Sequence, residues 1–200
     1  ILPKYEYTLR DMKTGTTFLG FGWNERSVND SVTFLTLAIY HMSLHGIDPH
    51  YVKIQSDNGS EIIGNVSKKE TPEIEKLLNY FGTEFRRIPP SSPTYNSHVE
   101  SFHNRIEFEK YSRLKNPLGF LPEMADWQKD WNTNRKQLRT KKTPQMIAKE
   151  HGFLLPVSFY EFPILVYDRL ECPKSIFSGG DYLPDDLIKN LPSILTVLKS

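Results

Sequence analysis

One acidic residue of this sequence directly follows a strand-like run, a position where a carboxylate can bind a metal ion. The run is "YVKIQS" (51–56), and Asp57 comes next, followed by Asn58 and Gly59. Ligand sites in open α/β sheets collect at the carboxyl ends of strands, and Mg²⁺ prefers oxygen ligands such as carboxylates. The same Asp-Asn-Gly residues also form an ordinary turn that needs no function. On these residues alone the turn is the favoured interpretation, because short motifs often match by chance.

A second acid, Glu100, lies in the first turn of the segment "SHVESFHNRIEFE" (97–109), which has the spacing of a helix. Ser97 and Glu100 are three residues apart and can form a capping box. Alternatively, Glu100 faces the strand ends and shares a metal ion with Asp57. The spacing alone decides nothing, although the proline-marked approach "IPPSSPTYN" (88–96) fixes where the helix starts. Glu107, two turns later, either supports Glu100 or is solvated.

Three histidines are further candidates for a catalytic or metal-binding role. His103 shares the helix face of Glu100, but a lone histidine is more often a surface or packing residue than a catalyst. His41 and His45 are four residues apart on a predicted helix, a spacing that can hold a metal ion. Because no third ligand is evident near them, we interpret both as structural.

The composition narrows the classes of protein that fit. The chain has 200 residues with 38% hydrophobic and 24% charged residues, enough to bury a core. No apolar run reaches the roughly 18 residues of a membrane span, and a single cysteine excludes a disulfide framework. The net charge of +1 gives no argument for nucleic acid, but residues 134–142, "NRKQLRTKK", carry five basic residues and no acid. Without other support, such a run is a solvated helix end.

Hydrophobic periodicity and turn residues predict alternating strands and helices. The predicted elements are a hairpin over 5–23, helices over 27–46, 71–82, 97–114 and 122–138, and strands over 51–56 and 83–89. This order predicts an α/β fold with a mixed or parallel sheet and helices on both faces. We expect residues 1–150 to form this core and residues 151–200, rich in proline and aromatic residues, to form an extended tail.

Four segments in this order resemble the catalytic core of the DDE integrases and transposases, in particular bacterial insertion-sequence transposases with a retroviral-integrase-type core. They are "LPKYEYTLRDMKTGTTFLGF" (2–21), "IQSDNGSEIIG" (54–64), "NSHVESFHNRIEFE" (96–109) and "WNTNRKQLRTKKTP" (131–144). "GGDYLPDD" (179–186) is also similar to a segment near the end of one subgroup. The resemblance covers most of the chain, and each motif alone is weak.

The resemblance implies a ribonuclease H-like fold, a five-stranded mixed sheet flanked by helices, with three acids that hold two Mg²⁺ or Mn²⁺ ions. Asp57 then corresponds to the second acid and Glu100 to the third. Asp11 matches the turn between the second and third strands rather than the first strand, so it is only a fallback for the first acid. We therefore expect the first strand, its acid and the DNA-binding helices of the family to lie upstream of Ile1.

The activity implied is DNA transposition or integration by phosphoryl transfer, in which 3′-end nicking precedes strand transfer. The implied partners are the DNA of element ends and target and further copies of the chain, in the bacterial cytoplasm at the nucleoid and not in a membrane. The residues expected to contact DNA are Tyr95, His98, Arg105, Arg135, Lys136, Arg139, Lys141 and Lys142. Two alternatives stay open: an inactive remnant that binds DNA or a transposase subunit, and a nuclease that cuts without joining. For the 200 residues alone we expect no strand transfer.

Overall fold

The computed structural model of the chain describes residues 2–23, 28–56, 72–88, 97–111 and 119–169. The strands are β1 (Tyr5–Arg10), β2 (Thr17–Gly22), β3 (Lys53–Ser56) and β4 (Glu84–Arg87). The helices are α1 (Val28–Leu44), α2 (Glu73–Tyr80), α3 (Ser97–Ile106), α4 (Phe120–Thr133) and α5 (Pro144–Glu150). Contacts divide the chain into a unit of residues 1–168 and a second unit of residues 169–200. The described elements confirm the predicted mixed α/β class.

The predicted hairpin is formed by β1 and β2, which pair antiparallel from Tyr5 opposite Gly22 to Arg10 opposite Thr17. Asp11 closes the turn, because its backbone N–H donates to the Thr16 carbonyl at 2.8 Å. β2 is buried along its whole length, whereas β1 is mostly half-buried. The hairpin therefore lies with β2 toward the interior of the unit.

The second sheet pairs β3 and β4 in parallel, with Lys53 opposite Glu84 and Ser56 opposite Arg87. Within the described ranges the strands form these two separate two-stranded sheets. They do not form the single five-stranded ribonuclease H-like sheet that the resemblance implies. The physical basis of the separation is that no described backbone bonds to the outer edges of β1 and β3.

Helix α1 lies between the hairpin and α2, since it contacts β1 and β2 and also packs on α2. The sequence predicts an apolar face that includes Val32, Leu35 and Ile39, and all three side chains are buried. Thr33 and Thr36 are buried as well. The helix is thus enclosed on more than the one predicted face.

Helices α3 and α4 pack on the face of the hairpin through a cluster of buried apolar side chains. The cluster consists of Leu19, Phe21, Phe102, Ile106, Phe120, Met124, Trp127 and Trp131. The predicted apolar face of α3 is confirmed at Phe102 and Ile106. The predicted length of this helix is not, because a wide π-helical turn (Glu107–Tyr111) follows Ile106.

Helix α4 begins two residues before its predicted start and ends at Thr133, five residues before its predicted end. The sequence prediction also lacks α5, whose N-terminus is capped by Thr143: the Thr143 hydroxyl accepts from the Met146 N–H at 3.1 Å. Pro144 occupies the first turn of α5, where its missing N–H costs nothing.

In the described part of the segment that follows α5, residues 151–169, the helical structure consists of two short turns (Val157–Tyr160 and Tyr167–Arg169). Several of its aromatic residues, among them Tyr160, Phe162 and Tyr167, are nevertheless buried in the unit of residues 1–168. Its backbone reaches β2, because the Phe21 N–H donates to the Leu165 carbonyl at 2.9 Å. Among the described residues, no helix is both long enough and apolar enough to cross a membrane.

Candidate acidic site and nucleic-acid interface

Glu100 is the one predicted metal-binding acid whose side chain the structure describes. It lies exposed in the first turn of α3, while Phe102 and Ile106 anchor the opposite side of the helix in the core. Its carboxylate oxygens are the type of ligand that Mg²⁺ prefers. Across the described ranges, however, no three His, Cys, Asp or Glu side chains come together in a group that could hold a metal ion. The described part of the chain does not by itself form a metal site.

Asp57 and Tyr95 lie outside the described residues, as does the side chain of His98. β3 ends at Ser56, immediately before Asp57. The predicted grouping of Asp57 with Glu100 therefore stays a prediction.

Asp11, the fallback for the first acid, is occupied in the hairpin turn. Its carboxylate accepts hydrogen bonds from the N–H and the hydroxyl of Thr14, at 2.8 and 2.5 Å. A more distant bond comes from the Lys13 N–H at 3.4 Å. These contacts make Asp11 a turn-stabilising residue, and Glu100 is not among its contacts.

A carboxylate that the sequence analysis did not single out, Glu6 of β1, lies against α3. It accepts from His103 Nδ1 at 3.0 Å and from the hydroxyls of Thr8 and Tyr111. The hydrogen bond to Glu6 raises the pKa of His103 against the opposing effect of burial, and the charges of Glu6 and Glu100 add to the rise. Burial, with Glu6 as the second cause, raises the pKa of Tyr111. His103 thus has a carboxylate partner, in contrast to a lone surface histidine.

His41 and His45, interpreted from the sequence as structural, hold the segment after α5 against α1. His41 Nε2 lies 2.8 Å from the Phe159 carbonyl, and His45 Nε2 lies 3.1 Å from the Ser158 hydroxyl. Burial lowers the pKa of His41. Both rings therefore have hydrogen-bond partners in the fold.

Three arginines surround the ring of Trp131 on α4. The guanidinium carbons of Arg10, Arg105 and Arg135 lie 5.3, 5.9 and 5.6 Å from the ring centroid. Arg10 also lies 5.3 Å from the ring centroid of Phe102. Each distance is within the range of a cation–π contact. Two of the predicted DNA-contacting residues, Arg105 and Arg135, therefore belong to a packed arginine–aromatic cluster.

The other predicted basic residues lie on a loop, residues 134–142, between α4 and α5. Lys136, Arg139 and Lys141 are exposed, and none of them has an ion-pair partner among the described residues. Lys142 differs, since its Nζ lies 2.6 Å from Glu150 Oε1. The run is a loop and not the end of a helix, the interpretation that its charge alone favoured.

Hydrogen bonds hold this basic loop in one shape. The Gln137 N–H donates to the Lys142 carbonyl and the Lys141 N–H donates to the Gln137 carbonyl, both at 2.9 Å. The side-chain amide of Gln137 donates to the Thr14 carbonyl of the hairpin turn at 2.5 Å. Lys141 has a φ of 57°, which is uncommon for a residue with a side chain. The basic loop and the hairpin turn thus form one continuous surface.

Arg10 and Glu6 are the residues of this region that the sequence reasoning missed. Both lie on β1, where side chains two residues apart share a face. The signal was available in the alternation of Glu6, Thr8 and Arg10 within an otherwise aromatic and apolar strand. Three polar residues on one face indicate either solvent or a specific partner, and here the partners are side chains of α3, of the π-helical turn after it and of α4.

Comparison with known proteins adds no assignment: no protein-family model matches the sequence, and no curated protein matches it. The resemblance to integrase-type cores rests on the four segments of the sequence and stays a prediction.

Proposed function

We propose that this chain is part of a DDE-type transposase that moves DNA by metal-dependent phosphoryl transfer. The observation that carries the proposal is the exposed carboxylate of Glu100, held in the first turn of a helix whose other side is fixed in the core. It lies in the motif that resembles the third acid of such enzymes. Asp57 is proposed as the second acid.

The proposed complete fold is a ribonuclease H-like sheet in which one more strand, preceding Ile1, joins the two observed sheets. The antiparallel β1–β2 pair and the parallel β3–β4 pair support this proposal. So does the outer edge of β1, whose backbone has no described partner. The additional strand would pair with β1 on one side and β3 on the other, and it would carry the first acid.

The proposed reaction is hydrolysis of a phosphodiester at an element end, followed by attack of the freed 3′-hydroxyl on a phosphodiester of target DNA. The attack joins the element to the 5′-phosphate of the target and releases the 3′-hydroxyl of the target strand as the leaving group. The carboxylates of Asp57 and Glu100 would hold divalent metal ions, which would supply charge stabilisation for the attacking and leaving oxygens. The carboxylates of Asp57 and Glu100 act as ligands and not as nucleophiles, so no covalent protein intermediate is formed. Tyr95 and His98 are proposed to contact the DNA next to the scissile bond.

The basic loop is proposed to hold the DNA backbone. Lys136, Arg139 and Lys141 project from a fixed loop without carboxylate partners in the described ranges. Contacts of this type position DNA without reading its sequence. The proposed partners are element ends and target DNA, with further copies of the chain bound to the same DNA, in the bacterial cytoplasm at the nucleoid.

A second candidate function is binding without catalysis. The specific observation in its favour is that the described residues bring no three potential ligands together. A chain that keeps the fold and the basic loop but lacks a complete acid site would bind DNA or a transposase subunit. This alternative predicts DNA binding by the 200 residues and no joining by any longer form.

Strand-transfer assays with labelled element ends test the proposal. The longer protein that includes the upstream strand is expected to join DNA in the presence of Mg²⁺ or Mn²⁺, whereas the 200-residue chain is not. Asp57→Asn or Glu100→Gln in the longer protein should abolish joining and leave DNA affinity within about threefold, because ligand carboxylates do not hold the DNA backbone.

Glu123→Gln is the matched control, since Glu123 is an exposed first-turn glutamate of a different helix, α4. It should join at the wild-type rate. Joining at the wild-type rate by Glu100→Gln would contradict the assignment of Glu100. DNA binding without joining in the longer wild-type protein would favour the second candidate.

A further inference from the structure

Around Trp131 the described side chains carry more positive than negative charge. Arg135 has two carboxylate partners, since it donates to Glu109 and lies 3.6 Å from Asp130. Arg105 reaches the same Glu109 only at 3.9 Å. One carboxylate is thus shared by two guanidinium groups.

Arg10, the third member of the cluster, has no carboxylate within 4 Å among the residues that the structure describes. Its Nη1 donates to the Thr17 hydroxyl at 2.9 Å, and its remaining N–H groups have no described hydrogen-bond partner. Burial, which outweighs the charge of Asp11, lowers the pKa of Arg10 to about 10. The group is therefore still a cation at neutral pH, and it is partly removed from water with no carboxylate of the described residues in contact with it.

Two buried aromatic side chains support the arginine cluster. Trp131 and Phe102 are buried, and the Trp131 Nε1–H donates to the Gly15 carbonyl at 3.2 Å. Both rings lie against the guanidinium of Arg10. Contacts with two buried rings and the hydrogen bond to the Thr17 hydroxyl restrict the guanidinium before any ligand arrives, which reduces the entropy lost on binding.

The cluster is also accessible from solvent. The side chains of Arg105 and Arg135 are 35% and 29% exposed. If the arginine cluster served only in core packing, its side chains would be buried and each charge would be paired with a carboxylate, because an unpaired buried charge is costly. The planar fork of arginine matches the oxygens of a phosphate group.

We propose that Arg10 and Arg105 together bind a phosphate group above the ring of Trp131, with Arg135 and Glu109 holding the site in shape. This inference rests on the proposed function in taking that phosphate to be a phosphodiester of DNA. The site adjoins the basic loop, since Arg135 belongs to both, and it would fix a backbone position beside the hairpin. A free phosphate ion would present the same oxygens to these arginines and is the alternative ligand.

The test measures the affinity of the 200-residue chain for a short labelled DNA duplex at several salt concentrations. Arg105→Gln is expected to weaken binding roughly tenfold and to reduce the slope of log affinity against log salt by about 0.9, the value for one phosphate contact. Arg10→Lys keeps the charge but loses the planar guanidinium group. It should therefore weaken binding several-fold without changing the slope of log affinity against log salt.

Arg86→Gln is the matched control. Arg86 is an exposed arginine of β4 that pairs with Glu84 at 2.5 Å, on the other sheet. The variant removes the same charge and should bind as the wild type does. Urea denaturation of each variant separates loss of binding from loss of folding, and Arg10→Lys keeps the test informative if Arg105→Gln is unstable.

The outcomes separate the inference from the proposed function. If the wild type binds duplex and both cluster variants bind equally well, the inference is overturned and the proposed function stands. If the wild type does not bind duplex, the proposed role of the basic loop in holding DNA fails. The phosphate site then survives only if inorganic phosphate changes tryptophan fluorescence in the wild type and not in Arg105→Gln, and otherwise it is overturned as well.

Discussion

At the scale of single residues, the contacts of Glu6 explain why a strand of this aromatic hairpin carries a carboxylate. Glu6 is almost enclosed, with its side chain 11% exposed, and buried carboxylates require hydrogen-bond donors. His103 and Tyr111 supply them across about one hundred residues of sequence. The result is a polar contact that fixes α3, and therefore the backbone that carries Glu100, against β1.

The raised pKa of His103 predicts a pH-dependent stability. Its folded-state pKa lies above the unfolded value of about 6.5. The contribution to stability is therefore fully present below about pH 6.5 and is lost as pH rises through the folded-state pKa. The difference in free energy of unfolding between wild type and His103→Gln, measured by urea denaturation, should be larger at about pH 6 than at about pH 9.

His151→Gln provides the control, because His151 is exposed and forms no ion pair within the described ranges. A His103→Gln gap of equal size at both pH values would show that the Glu6 contact does not carry charge.

At the scale of elements, two amide side chains of α4 take the place of a neighbouring strand for β2. The Leu19 N–H donates to Gln128 Oε1 at 2.8 Å, and the Thr17 N–H donates to Asn132 Oδ1 at 2.9 Å. Asn132 Nδ2 donates back to the Thr17 carbonyl at 2.9 Å. Because Gln128 and Asn132 are one helical turn apart, they fit the spacing of alternate residues along the strand edge.

Replacement of Asn132 by alanine is expected to destabilise the unit by about 2 kcal/mol, because it leaves the Thr17 N–H and carbonyl buried without partners. The measurement is the free energy of unfolding in urea. Thr133→Ala is the matched control, since Thr133 is adjacent and partly exposed, and its hydroxyl donates to the Lys129 carbonyl of its own helix. The Thr133→Ala variant should differ from the wild type by less than about 0.5 kcal/mol in the free energy of unfolding. Equal losses in both variants would show that the amide contact to β2 contributes little.

The elements also show what the sequence could and could not predict. Alternation and turn residues predict the hairpin, and helical spacing predicts α1 to α4, because these signals are local. The end of α4 was placed too late, since the basic run 134–142 continues a helical composition. What ends the helix there is a set of loop contacts, including the Gln137 bond to Thr14. The arginine–aromatic cluster was missed for the same reason: Arg10 meets Phe102 and Trp131 only in the folded chain.

At the scale of the whole molecule, the hairpin has one covered edge and one open edge. The outward N–H groups of β2 donate to Gln128, Asn132 and Leu165. In an antiparallel pair, a residue whose backbone N–H and C=O point away from the partner strand lies opposite a residue whose backbone groups also point outward. The outward groups of β1 therefore belong to Glu6, Thr8 and Arg10, and none of them has a described backbone partner.

Hydrogen exchange should reveal this asymmetry. In the 200-residue chain, the amides of Glu6, Thr8 and Arg10 are expected to exchange much faster than those of Thr17, Leu19 and Phe21. In a longer protein that includes the proposed upstream strand, the β1 amides should become protected, while the β2 amides should not change. Slow exchange of the β1 amides in both proteins would argue against the ribonuclease H-like sheet.

The hairpin turn has a consequence for where this chain tolerates added residues. A Cβ on Gly15, which has a φ of 78°, would lie 2.5 Å from the side-chain nitrogen of Gln137. The basic loop therefore covers the hairpin turn, and residues inserted into the turn would displace the loop. Gly46 and Gly152 also have positive φ, but a Cβ there would meet nothing within 4 Å. Tags, labels or linkers belong at those two bends, where lengthening the chain leaves the surface around Trp131 intact.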